Sequence, residues 1–262
     1  MINSILILSA IMTVVIMSIL NNSFKNGTFT CDKYILNTYL YLILAIVFVA
    51  LFVQTLTLNN VDIFVKMIQT HKYLFLFGIL IGLIGSIIGM AFTDPTNVII
   101  KHLWWTMFIT FSAILFQPIH MMYIKSGQQQ VIINALIITF ILVATLTGIA
   151  FYKPDFIKLS WGPVLFFALL GAIIVEVISI LTNSHSRIMH YIVIAIFIGY
   201  LLYDTKFMRE RAKKCLVKCD YYNFNRLDPI NKCVKPDYIK ESVNLFLDIY
   251  NLFLRILGLG SN

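Results

Sequence analysis

The sequence predicts an all-α, polytopic bundle of membrane-spanning helices, and three observations carry that prediction. Hydrophobic residues make up 60% of the 262 positions and charged ones only 12%, against about 25% charged in an ordinary soluble domain. Mean hydropathy is +0.87. Apolar runs near 20 residues long recur along the whole chain, which is the length a helix needs to cross the hydrocarbon. Without period-2 alternation, those lengths exclude a membrane β-barrel.

Eight runs follow in order, and no internal repeat links them. The first (3–20) lacks a basic n-region, so it reads as a span with its N-terminus outside rather than a cleaved leader. Runs at 38–58 and 73–92 follow; in the latter Gly78, Gly82, Gly85 and Gly89 share one face and predict a seam where a neighbouring backbone approaches closely. Run 103–124 holds Pro118, expected to kink it, and His120, expected to be a satisfied structural histidine. Runs 131–152, 161–182, 188–205 and 242–259 complete the set. Asp94-Pro95, Lys153-Pro154-Asp155, Asn183-Ser184-His185 and Lys235-Pro236-Asp237 break the chain between runs. His185 and His190, flanking one such break, are expected to be solvated.

The net charge of +8 does not point to nucleic acid, because ten of the 20 Lys and Arg residues lie in 206–240. The positive-inside rule reads that stretch as a cytosolic loop. Alternation from it leaves 15 basic residues inside and four outside. The loop serves as a topology anchor and also offers charge to anionic headgroups. Cys215, Cys219 and Cys233 fall in it, where thiols stay reduced, so no disulfide framework is expected. The trio lacks a fourth zinc ligand, while Cys215 and Cys219 are candidates for palmitoylation. The sequons at Asn21 and Asn26 fall on the cytosolic side and are read as decoys.

Acids in apolar helices are the candidate functional residues, since a charge at bilayer depth costs roughly 2.5–3.5 kcal/mol on insertion scales. Asp204 closes one run and Asp248 lies inside the last. Read blandly, Asp204 is a helix-end acid neutralised by Lys206, and Asp248 a hydrogen-bonded structural acid. Glu176 either lines the same cavity or bonds Ser179 on its own helix. In the last run Glu241, Asn244, Asp248, Asn251 and Arg255 recur at three-and-four spacing on one face. Such a stripe fits a helix lying flat in the interface or one facing the interior of a bundle. Asp248, amid Phe, Leu and Ile, favours the second.

Tyr203-Asp204-Thr205-Lys206 resembles a Y-D-T-Q motif, and Pro236-Asp237-Tyr238-Ile239 with Asn244 through Leu254 resembles a closing E-x-Y-I…L-D-I-I-N-L-F-L pattern. Upstream, Phe151-Tyr152-Lys153-Pro154-Asp155-Phe156 and Trp161-Gly162 are similar to a K-x-D-F linker before a glycine-led helix. Together they resemble the transmembrane Bax inhibitor motif family, over about residues 36–259. The resemblance implies a seven-helix domain (37–259) with a central last helix, preceded by an added hydrophobic segment and loop (1–36). It implies a pH-sensitive calcium leak that suppresses apoptosis, or alternatively a non-conducting scaffold acting through membrane proteins of cell-death pathways. The host would be the endoplasmic reticulum, Golgi or plasma membrane of a eukaryotic or virus-infected cell.

By motif, Asp204 and Asp248 are the pH-sensing and ion-pathway residues, able to offer oxygen ligands to passing Ca2+. Two adjacent carboxylates in low dielectric compete for one proton. Three departures stand out: Lys206 replaces Gln, Arg255 replaces an apolar residue, and the third run lacks a basic latch, for which Arg255 is a substitute. Lys206, Arg255, Glu176 and Asn251 are therefore auxiliary candidates, and no tightly bound cofactor is expected. No H-E-x-x-H, G-x-G-D or Ser/His dyad is present, so no enzyme is predicted.

Overall fold

The computed structural model describes residues 2–59, 63–182, 187–224 and 235–260. Among the described residues, eight helices are long and apolar enough to span a membrane: α1 (Ile2–Ser23), α2 (Tyr34–Leu58), α3 (Ile63–Phe92), α4 (Val98–Lys125), α5 (Gln129–Tyr152), α6 (Trp161–Leu181), α7 (Arg187–Phe224) and α8 (Tyr238–Gly260). Each predicted run is thus a helix, and the chain is an all-α polytopic membrane protein. The helices group into two compact units, one of residues 1–127 and 211–243, the other of 128–210 and 244–262.

In the first unit α1 packs on α2, α2 on α4, and α4 on α3. α3 leaves helical geometry at His71 and its apolar span begins at Tyr73. The glycine seam forms at two of its four positions. A Cβ on Gly82 would meet the Phe111 ring at 2.5 Å, and one on Gly89 the Trp104 indole at 2.4 Å. Aromatic side chains of α4, not backbone, fill the space. Gly78 and Gly85 face nothing within 4 Å.

Between α1 and α2 lies a feature the sequence reading passed over. Phe24–Lys25 (β1) and Thr28–Phe29 (β2) pair antiparallel around Asn26-Gly27, both at positive φ (53° and 76°). Asn-Gly is the strongest short-range hairpin signal because both residues tolerate left-handed backbone. It had been weighed only as part of a sequon.

Two expectations about 206–240 are corrected. α7 is 38 residues long, roughly 57 Å at 1.5 Å per residue, against about 30 Å of hydrocarbon. Residues 206–224 are therefore a helical extension of the span, not loop, and α8 already begins at Tyr238. Nor do the cysteines stay apart: Cys31 and Cys215, 184 residues apart in sequence, form a disulfide with Cα atoms 5.6 Å apart. Compartment chemistry argued against a bridge, but proximity of two cysteines is set by the fold. Cys215 is completely buried, so it offers no thiol for palmitoylation or zinc. The side chain of Cys219, and Cys233 altogether, lie outside the described residues, as does His185.

Ala gains on the order of 1 kcal/mol over Gly in a helix interior, so the four seam glycines make a discriminating set. Thermal unfolding in detergent should show Gly82→Ala and Gly89→Ala destabilised, Gly89→Ala the more because an indole yields less than the tip of a phenyl ring. Gly78→Ala and Gly85→Ala should match or exceed the parent. A second expected outcome concerns thiols: alkylation under denaturing, non-reducing conditions leaves Cys31 and Cys215 unlabelled, and prior reduction exposes both to mass-spectrometric detection.

Candidate functional site

Two of the buried acids, Asp237 and Glu241, find basic partners. In the first unit, Asp237 precedes α8 and caps it, its Oδ1 accepting from the Lys240 amide at 3.3 Å. Its Oδ2 accepts from Lys101 Nζ at 2.7 Å, and the same ammonium donates to the Met90 carbonyl at 2.7 Å. Met90 lies in the last turn of α3, where carbonyls lack helical partners. One lysine, 1% exposed, therefore joins the C-terminal end of α3 to the N-terminal end of α8. One turn on, the fully buried Glu241 takes Arg211 Nη1 at 2.6 Å. Tyr238 packs edge-on against Phe29 and Tyr34, at 5.1 and 5.2 Å between ring centroids.

The basic partners escaped the sequence reading, which had entered Lys101 and Arg211 only in the topology count. Lys235 and Asp94 form a further pair at 2.8 Å, exposed to solvent. Lys235 and the hydroxyl and amide of Thr96 hold the Asp94 carboxyl well below the usual carboxylate range. A lowered carboxylate favours folding above its ordinary pKa and loses that contribution as pH falls through the lowered value. Near neutrality it is constant.

The second unit holds the residues singled out by motif. Asp204 sits on α7, half-buried and more than five turns short of the helix end rather than at it. Asp248 of α8 is 3% exposed. The two carboxyl groups face each other closely enough to interact, and a hydrogen bond between them needs a shared proton because a carboxylate only accepts. Asp248 Oδ2 has no hydrogen-bond partner. Tyr200, one turn before Asp204, lies within the field of both acids. The bland reading of Asp204 as a helix-end acid exposed to the cytosol is thereby corrected.

The auxiliary candidates divide differently from expectation. Lys206 does not neutralise Asp204; its Nζ donates to the Ile157 carbonyl after the Pro154–Phe156 turn. Its neighbour Arg209 donates to the Phe151 carbonyl at 2.8 Å and lies over that ring. Asn251 donates to the Leu247 carbonyl of its own helix. Arg255 is no latch for the aspartates, because both its terminal nitrogens engage Glu176, Nη2 to Oε2 at 2.8 Å. Glu176 accordingly pairs neither with Ser179 nor with the aspartates. His120 bonds Thr57 Oγ1 at 3.1 Å, the satisfied histidine anticipated. His190 is half-buried, its ring 3.0 Å from where a Cβ on Gly258 would sit, and so is not solvated.

Burial also decides between the two readings of the last helix. Tyr238, Ile239, Glu241, Ser242, Val243, Leu245, Phe246, Asp248, Leu252, Phe253 and Leu257 are all buried, covering more than one side of α8. A helix lying flat in the interface would leave one side open.

Removing one partner of a buried ion pair strands the other charge and costs about 3–5 kcal/mol. Lys101→Ala should therefore reduce the folded yield and melting temperature sharply in size-exclusion and thermal-shift measurements. Asp94→Asn, breaking a solvated pair, should leave both nearly unchanged.

Residues 31–261 match a protein family described as "Inhibitor of apoptosis-promoting Bax1". Protein LIFEGUARD 1 of Arabidopsis thaliana is 28% identical over 205 residues, 74% of each chain. No solved structure matches significantly. The family match covers seven of the eight helices, from just before α2 to the end of α8, and includes Asp204 and Asp248. The chain belongs to the Bax inhibitor family of multi-pass, anti-apoptotic membrane proteins.

Proposed function

We propose that the protein is a proton-sensitive calcium leak whose sensor is the Asp204–Asp248 pair, and that this leak is how it moderates cell death. The observation that carries the reading is two acids facing each other on α7 and α8 of a membrane protein, both within the residues that match the family. A proton holds α7 to α8 at this point. Its loss leaves two like charges in low dielectric, which repel and favour a separated arrangement of the two helices. Asp248 Oδ2, buried and unpartnered, supplies an oxygen of the kind Ca2+ prefers. Calcium is cargo here, bound weakly enough to leave.

The sign of the pH effect follows. Rising pH removes the proton, so calcium efflux from dye-loaded proteoliposomes should increase with pH, by at most about tenfold per unit for a single titrating proton. Asp204→Asn and Asp248→Asn should each flatten that dependence, because an amide donates to the remaining carboxylate at every pH. Flux that keeps its full pH response in both variants removes the mechanism. Vesicles no leakier than protein-free ones point instead to a non-conducting scaffold acting through partner proteins.

A further inference from the structure

We infer that the Glu176–Arg255 ion pair keeps the polar face of α8 beyond Asp248 balanced in charge toward permeating cations, so that neither calcium nor potassium is favoured there, an inference that rests on the leak reading above. Arg255 lies on the polar face of α8, seven residues beyond Asp248 with Asn251 between them, about 10 Å farther along the axis. It is the only charged residue of α8 beyond Asp248, and Glu176 is the only charged residue of α6. The two find each other in a fork, both guanidinium nitrogens on both carboxylate oxygens. Bidentate pairing fixes orientation as well as charge.

This pair differs from the buried bolt at Lys101. Its side chains remain 22% and 32% exposed, so its charges are felt beyond the contact itself. While paired, they nearly cancel for a cation approaching along the polar face of α8. Unpaired, either would not: a unit charge about 8 Å away in water changes the local abundance of a divalent cation roughly sixfold and of a monovalent one about twofold. The carboxylate alone would concentrate calcium and the guanidinium alone would repel it. A pair with a purely mechanical role has no such sign.

The test measures calcium and potassium permeation side by side in proteoliposomes holding the full chain. Glu176→Gln should lower the calcium-to-potassium ratio by about two- to threefold, and Arg255→Gln should raise it by a similar factor. The double variant should lie between the two. Arg255→Lys keeps the charge but loses the fork, so it should move the ratio less than half as far as Arg255→Gln does, even where melting temperatures fall equally. Shifts of the same sign in the two single variants, or none, overturn the inference while leaving the leak reading intact if Asp248→Asn still alters flux. Wild-type vesicles that pass neither ion overturn both.

Discussion

The cost of placing charge in low dielectric organises this molecule. Hydrophobic helices supply the spans, but nothing in an apolar helix dictates which neighbour it meets. The charges carried on the helices do, because each that is withdrawn from water needs a partner of opposite sign at hydrogen-bond range. In one unit Lys101 meets Asp237 and Arg211 meets Glu241; in the other Arg255 meets Glu176. Asp204 and Asp248 break the pattern. Two acids face each other there. Ion pairs of acid and base are indifferent to pH over the physiological range. A pair of acids is not, and under the proposed function that asymmetry separates structural charges from a sensor.

How much could be read in advance follows the same division. Length and hydropathy are local properties, so all eight spans were legible. The two aspartates were legible because each stands out against an apolar background and because their flanking motifs resemble a family. The partners of the remaining charges were not. Asp237 and Lys101 are 136 residues apart, and Glu176 and Arg255 are 79 apart; no spacing rule links them. Arg255 illustrates the limit. Its position on the face of Asp248 was correctly read, and its partner was not, because helical periodicity fixes the side a residue faces and not which neighbouring helix stands there.

The N-terminal segment shows a different failure. Asn26-Gly27 carries a turn signal of its own, obscured by the glycosylation sequon that shares its letters. The hairpin it makes sets Phe24 against Phe29 at 4.9 Å and Phe29 against Tyr238, and Cys31 two residues on is bonded to Cys215 of α7. The segment that lies outside the common seven helices is thus tied to the first turn of α8 and to the extension of α7. It is a brace on the same elements that carry Asp237, Glu241 and Arg211.

α8 therefore divides by depth into positions with different tasks. Its first turn is immobilised by a cap, two ion pairs and aromatic packing. Its middle holds an acid facing another on α7, and under the proposed function their bond lasts only while they share a proton. Its last turns carry a guanidinium whose charge α6 balances. A helix anchored at one end and joined by a conditional bond in the middle can answer protonation without unfolding, because the costly buried charges at the anchor stay matched throughout. Under the proposed function, a lysine at position 204 would make the middle bond as permanent as the anchor and leave the helix no state to switch to.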